Sequence, residues 1–185
     1  MTASTTPLPA EAQALLAFWR EAGPERWFKK DAAFDQSFRS RFLSEHEAAA
    51  RGKRDGWATT AHGALALLLL LDQFPRNAFR GSPRMFATDP QALSLAGQAL
   101  AQGFDAAVEP ALRQFFGLPF MHSELLQDQD RAVELAPAGG ENLRYALEHR
   151  DIIARFGRFP HRNAVLGRAT TPQEQQFLSE GGFAG

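Results

Sequence analysis

The chain has 185 residues, enough for one compact domain with a real core, and its 20 Lys and Arg against 21 Asp and Glu leave no global field for nucleic acid or an anionic membrane. It has no cysteine, which excludes disulfides, thiolate metal sites and cysteine nucleophiles and suits a reducing compartment, the cytoplasm by default. The longest apolar run, ALALLLLL from Ala64 to Leu71, is far below the roughly 20 residues that cross a bilayer, so it is core.

Apolar residues recur at helical spacing and alternating runs are scarce, so the fold class is all-α. Residues 1–9 lack both a basic n-region and an apolar h-region; they are expected as a frayed tail before a single all-helical domain over 10–185. A first helix is expected over about Pro9–Ala22. Asp31 opens the next, in which Phe34, Phe38 and Phe42 fall one per turn on one face, and Gly52 stops it after Ala50. Thr60 caps a Leu-rich helix expected to end near Phe74-Pro75.

Asp89-Pro90 reads as an N-cap with proline at the first helical position, opening a helix to about Gln102 with Gly103 as terminator. Glu109-Pro110 repeats the device before a short helix ending near Gly117. Further helices are expected over His122–Leu135 and, after the turn at 136–140, over Glu141 to about Arg155. Thr171-Pro-Gln-Glu174 is a capping box that launches a last helix toward Leu178. About eight helices in antiparallel hairpins give a compact bundle or a short solenoid. Sixteen Phe against one Tyr predict a core of rings that need no hydrogen-bond partner.

Polar residues concentrate in a few places. In Asp72-Gln-Phe-Pro-Arg-Asn77, Asp72 and Arg76 can pair across a turn; Arg76 has a planar fork that grips a carboxylate or phosphate at two points, and Asn77 suits a tight turn. The plain reading is a tied turn. In Leu118-Pro-Phe-Met-His-Ser-Glu124, His122 is a candidate general base and Glu124 its orienter or acid, at what is expected to be a helix's first turn with free N–H groups. The plain reading there is a Ser–Glu cap. Asn142, Tyr145 and His149 lie at i, i+3 and i+7, a polar stripe that needs partners or a ligand if it faces inward.

The segment FGRFPHRN, from Phe156 to Asn163, packs Arg158, His161, Arg162 and Asn163 into one turn. Its Phe-Pro, Arg-Asn-Ala and glycine echo Phe74-Pro-Arg-Asn-Ala-Phe-Arg-Gly81. No H-x-x-x-H or H-E-x-x-H spacing occurs, so no metal is expected, nor any cofactor. There is no stacking-platform motif or basic face for nucleic acid.

The strings DQFPRNAFRG, LPFMHSE and YALEHRDIIARFGRFPHRN, with the closing LGRATTP, resemble the bacterial family catalogued as domain of unknown function 924, over about Phe18–Phe183. The resemblance implies an all-helical fold similar to tetratricopeptide-repeat proteins and no established reaction. The chain departs from the family in carrying Ala17 where Asp is common, and Gly117 where an aromatic is.

These residues lead to an expected pocket for a small anionic molecule, with acid–base catalysis as its sharper form. Arg76, Arg158 and Arg162 would clamp the anion, Asn77, Tyr145, His149 and Asn163 would line it, and His122, Glu124 and His161 would move protons. The rival is a tetratricopeptide-like module whose groove binds an acidic peptide or protein terminus. A third reading makes the polar residues struts that lock turns.

Overall fold

The computed structural model describes residues 7–183; the expected tail falls mostly outside the described residues. Eleven α segments are found among them, together with short 3-10 turns: α1 (Ala10–Ala22), α2 (Pro24–Trp27), α3 (Ala32–Ala50), α4 (Ala61–Leu68), α5 (Phe74–Ala78), α6 (Asp89–Ala101), α7 (Gln114–Met121), α8 (Leu126–Leu135), α9 (Glu141–Phe156), α10 (Asn163–Leu166) and α11 (Pro172–Ser179). The expected helices are present, and the difference in number comes from one-turn segments such as α2 and α10.

The expected start signals work at three positions. Asp31 Oδ1 accepts from the Ala33 and Phe34 N–H groups at 3.0 and 3.1 Å, Thr60 Oγ1 accepts from Gly63 N, and Thr171 with Glu174 makes the reciprocal capping box. The ring stripe of α3 packs as its spacing implies. Phe18 of α1 stands against Phe34, Phe38 and Phe42, with centroids 5.2, 5.3 and 5.4 Å away.

The Leu-rich α4 is apolar all round because it is buried all round, Ala64 to Leu70 being no more than 2% exposed. Helices α1, α6 and α7 all pack on it, and α6 comes close through the small residues Ala92, Ala96 and Ala99. A central helix contacted from several sides is a bundle; in a solenoid each unit meets only its neighbours. Gly63 opens this helix against the Trp57 carbonyl, where an added Cβ would overlap backbone. Gly63→Ala is therefore expected to cost roughly 1–3 kcal/mol or more, seen as a lower urea midpoint with unchanged m-value.

Three helix boundaries differ from expectation. Pro75 does not end the Leu-rich helix: residues Leu69–Gln73 wind as a π turn and the chain runs on through α5. Pro75 has no N–H to give the carbonyl four residues back, Leu71, or five back, Leu70. Side chains take those oxygens instead: Thr88 Oγ1 donates to Leu71 O at 2.5 Å and His46 Nδ1 to Leu70 O at 2.9 Å. The next carbonyl, Asp72 O, accepts from Arg76 at 2.7 Å.

Helix α7 likewise passes through Gly117 and Pro119, because Phe115, Phe116, Leu118 and Met121 are all buried by continuing it. Helix α8 begins at Leu126 rather than His122. Ser123 Oγ donates to Asp128 Oδ2, and the buried Gln129 amide donates to the Met121 and Ser123 carbonyls at 2.8 and 2.6 Å, which holds 122–125 as a turn. No helix among the described residues is long and apolar enough to cross a membrane.

Candidate functional site

The two echoing Phe-Pro segments meet at one carboxylate. Arg76 of α5 closes its fork on both oxygens of Asp89, at 2.9 and 3.0 Å, and Arg162 NH1 lies 3.7 Å from Asp89 Oδ2. Asp89 was expected to cap α6, but it is the helix's first residue and its carboxylate faces these cations; Thr88 stands at the cap position. The Cζ of Arg162 lies 4.6 and 4.5 Å from the ring centroids of Phe86 and Phe159. Its NH2 donates to His122 O at 2.9 Å, while its buried Nε has no partner among the described residues.

Arg162 is thus a cation with half a carboxylate for company. Burial, and then the Arg76 charge, pull its pKa down to about 10. A guanidinium whose charge is disfavoured in the free protein gains from any anion that approaches.

Beside it, Asp72 is 1% exposed and collects three partners. His122 Nδ1 is 2.7 Å from its Oδ1, Gln73 Nε2 donates to its Oδ2 at 2.6 Å, and Arg76 NH1 is 3.2 Å away. Burial pushes this carboxyl up, but the Arg76 cation and then His122 outweigh it and hold it well below the usual carboxylate range. Burial, and then the Arg76 charge, lower His122. A neutral imidazole beside a carboxylate must donate through Nδ1, so its Nε2 carries the lone pair, and that atom makes no hydrogen bond among the described residues.

Arg76, His122 and Arg162 line a cleft of about 710 Å³, with Asp72 buried behind His122. Its floor includes Gln73, Arg76 and Asn77, which share one face of the helix continued through the π turn. Tyr145 and His149 of α9 line the cleft too, with His161 and Arg162 from the turn that follows. His149 Nδ1 donates to Tyr145 O at 2.8 Å, and its ring lies 4.5 Å from that of Phe183. Burial first, with His122 next, brings its pKa to about 4; burial and then Arg162 do the same for His161, whose buried Nδ1 has no partner among the described residues. Among the described residues no three His, Asp or Glu side chains group as a metal site.

The family described as bacterial protein of unknown function (DUF924) matches over residues 15–182. The chain belongs to this family. It is similar to the solved structure of ATU0120, a protein of unknown function from Agrobacterium tumefaciens, with 55% identity and a TM-score of 0.91 over 93% of this chain and 98% of that one. No curated protein matches.

Of the ten candidate residues in this DUF924 chain, Arg76, Asn77, His122, Tyr145, His149, His161 and Arg162 line the cleft. Glu124, Arg158 and Asn163 do not. Glu124 takes both nitrogens of the Arg168 fork, at 2.7 and 3.0 Å, and the Phe159 N–H at 2.8 Å, so the carboxylate that orients His122 is Asp72 instead. Arg158 is spent on Glu174 at 2.6 and 2.9 Å, and Asn163 bonds Glu174 and Arg168. These three tie the turn 157–168 to the 122–125 turn and to α11.

Sequence reasoning missed Asp72 and Asp89 as members of the cluster around His122 and Arg162. Asp72 is the expected local tie to Arg76, yet its carboxylate also serves His122 and Gln73. Asp89 carried the signature of a cap. One signal was available: the echoing segments each offer an arginine, and two buried forks need an acid within reach.

Proposed function

We propose that the cleft binds a small molecule bearing an anionic group and that His122 performs acid–base chemistry on it. The observation that carries this reading is that His122, paired behind with Asp72, lines the same cleft as the under-neutralised Arg162. Arg162 receives the anionic group. His122 Nε2 then accepts a proton from the bound molecule, while Asp72 fixes the tautomer and stabilises the imidazolium that forms. A bound anion also raises the proton affinity of His122, so the base strengthens once the ligand is in place. The volume suits a small molecule rather than a peptide strand. Lack of cysteine favours the cytoplasm as its place of work.

The test has two arms. Acetate, citrate or inorganic phosphate at about ten times its dissociation constant should raise the melting temperature by roughly 3–6 °C, and the shift should vanish in Arg162→Met. In parallel, a metabolite extract incubated with the protein is followed by mass spectrometry. A compound consumed by the wild type should turn over about 100- to 10,000-fold more slowly with His122→Asn. Anion shifts that persist in a folded Arg162→Met protein would remove the binding half; equal turnover by His122→Asn would remove the catalytic half.

A further inference from the structure

The cleft has more than charge in it. Five aromatic rings line it, from four parts of the chain: Trp27 with Phe28, then Phe86, Tyr145 and Phe183. Two of the chain's three methionines, Met85 and Met121, line it as well. Methionine sulfur packs favourably at ring edges and adapts to irregular shapes.

Two of the rings are in unusual positions. Phe28 is 58% exposed and Tyr145 39% exposed, on a chain whose other phenylalanines are buried or half-buried. Each is nonetheless supported from one side. Phe28 stacks on Phe115 with centroids 6.1 Å apart, and the Arg144 guanidinium carbon lies 4.3 Å from the Tyr145 centroid. A ring backed on one face and open on the other is already ordered, so stacking a second ring on it costs little further entropy. The other exposed large apolar side chains, such as Leu125 and Leu147, do not line the cleft.

We infer that the ligand is a planar ring carrying an acidic group, with the ring packed against Phe28 and Tyr145 and the acidic group on Arg162. This rests on the anion reading above and names its substrate class. An aliphatic acid of equal area would gain the burial but not the stacking, and the stacking is what two backed, open rings supply.

The full-length protein is titrated with acetate, benzoate, 2-naphthoate and benzyl alcohol, read by tryptophan fluorescence, since Trp27 lines the cleft, and by thermal shift. Benzoate should bind about tenfold or more tighter than acetate, and 2-naphthoate tighter again. Phe28→Ala and Tyr145→Ala should each weaken benzoate roughly three- to tenfold more than they weaken acetate. Both rings are exposed, so both variants fold, and far-UV circular dichroism verifies it. Equal affinities for acetate and benzoate would overturn the ring and leave the anion reading standing. Benzyl alcohol binding as tightly as benzoate would keep the ring and overturn the acidic group. Absence of binding by either aromatic acid up to millimolar concentration would overturn both.

Discussion

Asp72→Ala should destabilise the protein by about 3–5 kcal/mol, a fall in melting temperature of roughly 6–20 °C. Asp72 is 1% exposed and is the shared acceptor for His122 and Gln73 and the near partner of Arg76. Removing it strands an imidazole N–H and an amide in the interior and leaves Arg76 with the Asp89 carboxylate and the backbone carbonyl of residue 72. Asp72→Asn keeps an oxygen for His122 and should cost much less, but it removes the negative charge that raises the His122 proton affinity. The two variants therefore separate packing from charge. Differential scanning calorimetry gives the first and an NMR titration of His122 the second, whose pKa should fall further in Asp72→Asn. A loss below about 1 kcal/mol in Asp72→Ala would mean that the cluster relaxes into water and is not the rigid unit described.

Acid should unfold the protein in a window set by histidine. His149 and His161 have folded pKa values of about 4, below the 6.5 of an unfolded imidazole. Between these values the unfolded chain binds more protons than the folded one, so stability rises with pH across the interval. Their contribution is fully present above pH 6.5 and is lost as pH falls toward 4. For His149, 7% exposed, the loss from pH 7 to pH 5 is roughly 2 kcal/mol; His161, less buried, adds a smaller loss in the same direction. His122 is lowered too and adds to the slope. Asp72 and Glu174, both held low, lose their stabilising charge only below this window. Urea midpoints measured every half unit of pH read the slope directly. His149→Gln should flatten it, and a slope unchanged by that substitution would show that this histidine is free to protonate in the fold.

Much of the fold was legible because its signals are local. One ring per turn in α3, a Thr-Pro-x-Glu box before α11 and the break at 136–140 each state their structure within a few residues. Boundaries failed where distant side chains intervene. Pro75 ends a helix only if nothing else takes the carbonyls it abandons, and here Thr88 and His46 reach in to do so. The site shows the same division. Its residue types stood out as excess polarity, and seven of ten candidates do share the cleft. Their pairing did not stand out, because an aspartate that caps and an aspartate that clamps two arginines look alike until the partners converge. Asp72 takes the place expected of Glu124 for that reason: only the approach of the π turn to the end of α7 decides which carboxylate meets His122, and Glu124 goes to Arg168 instead.

The π turn also sets a phase. Its wider winding at Leu69–Gln73 holds one residue more than an α turn would before the helix resumes at Phe74. Without that extra residue, everything after Leu68 would swing by about 100° around the helix axis relative to α4. Gln73, Arg76 and Asn77 would then face other neighbours. The side chains that face the cleft from this helix thus depend on one wide turn, and that turn depends in its own right on Thr88 and His46, which satisfy its loose carbonyls from outside the helix.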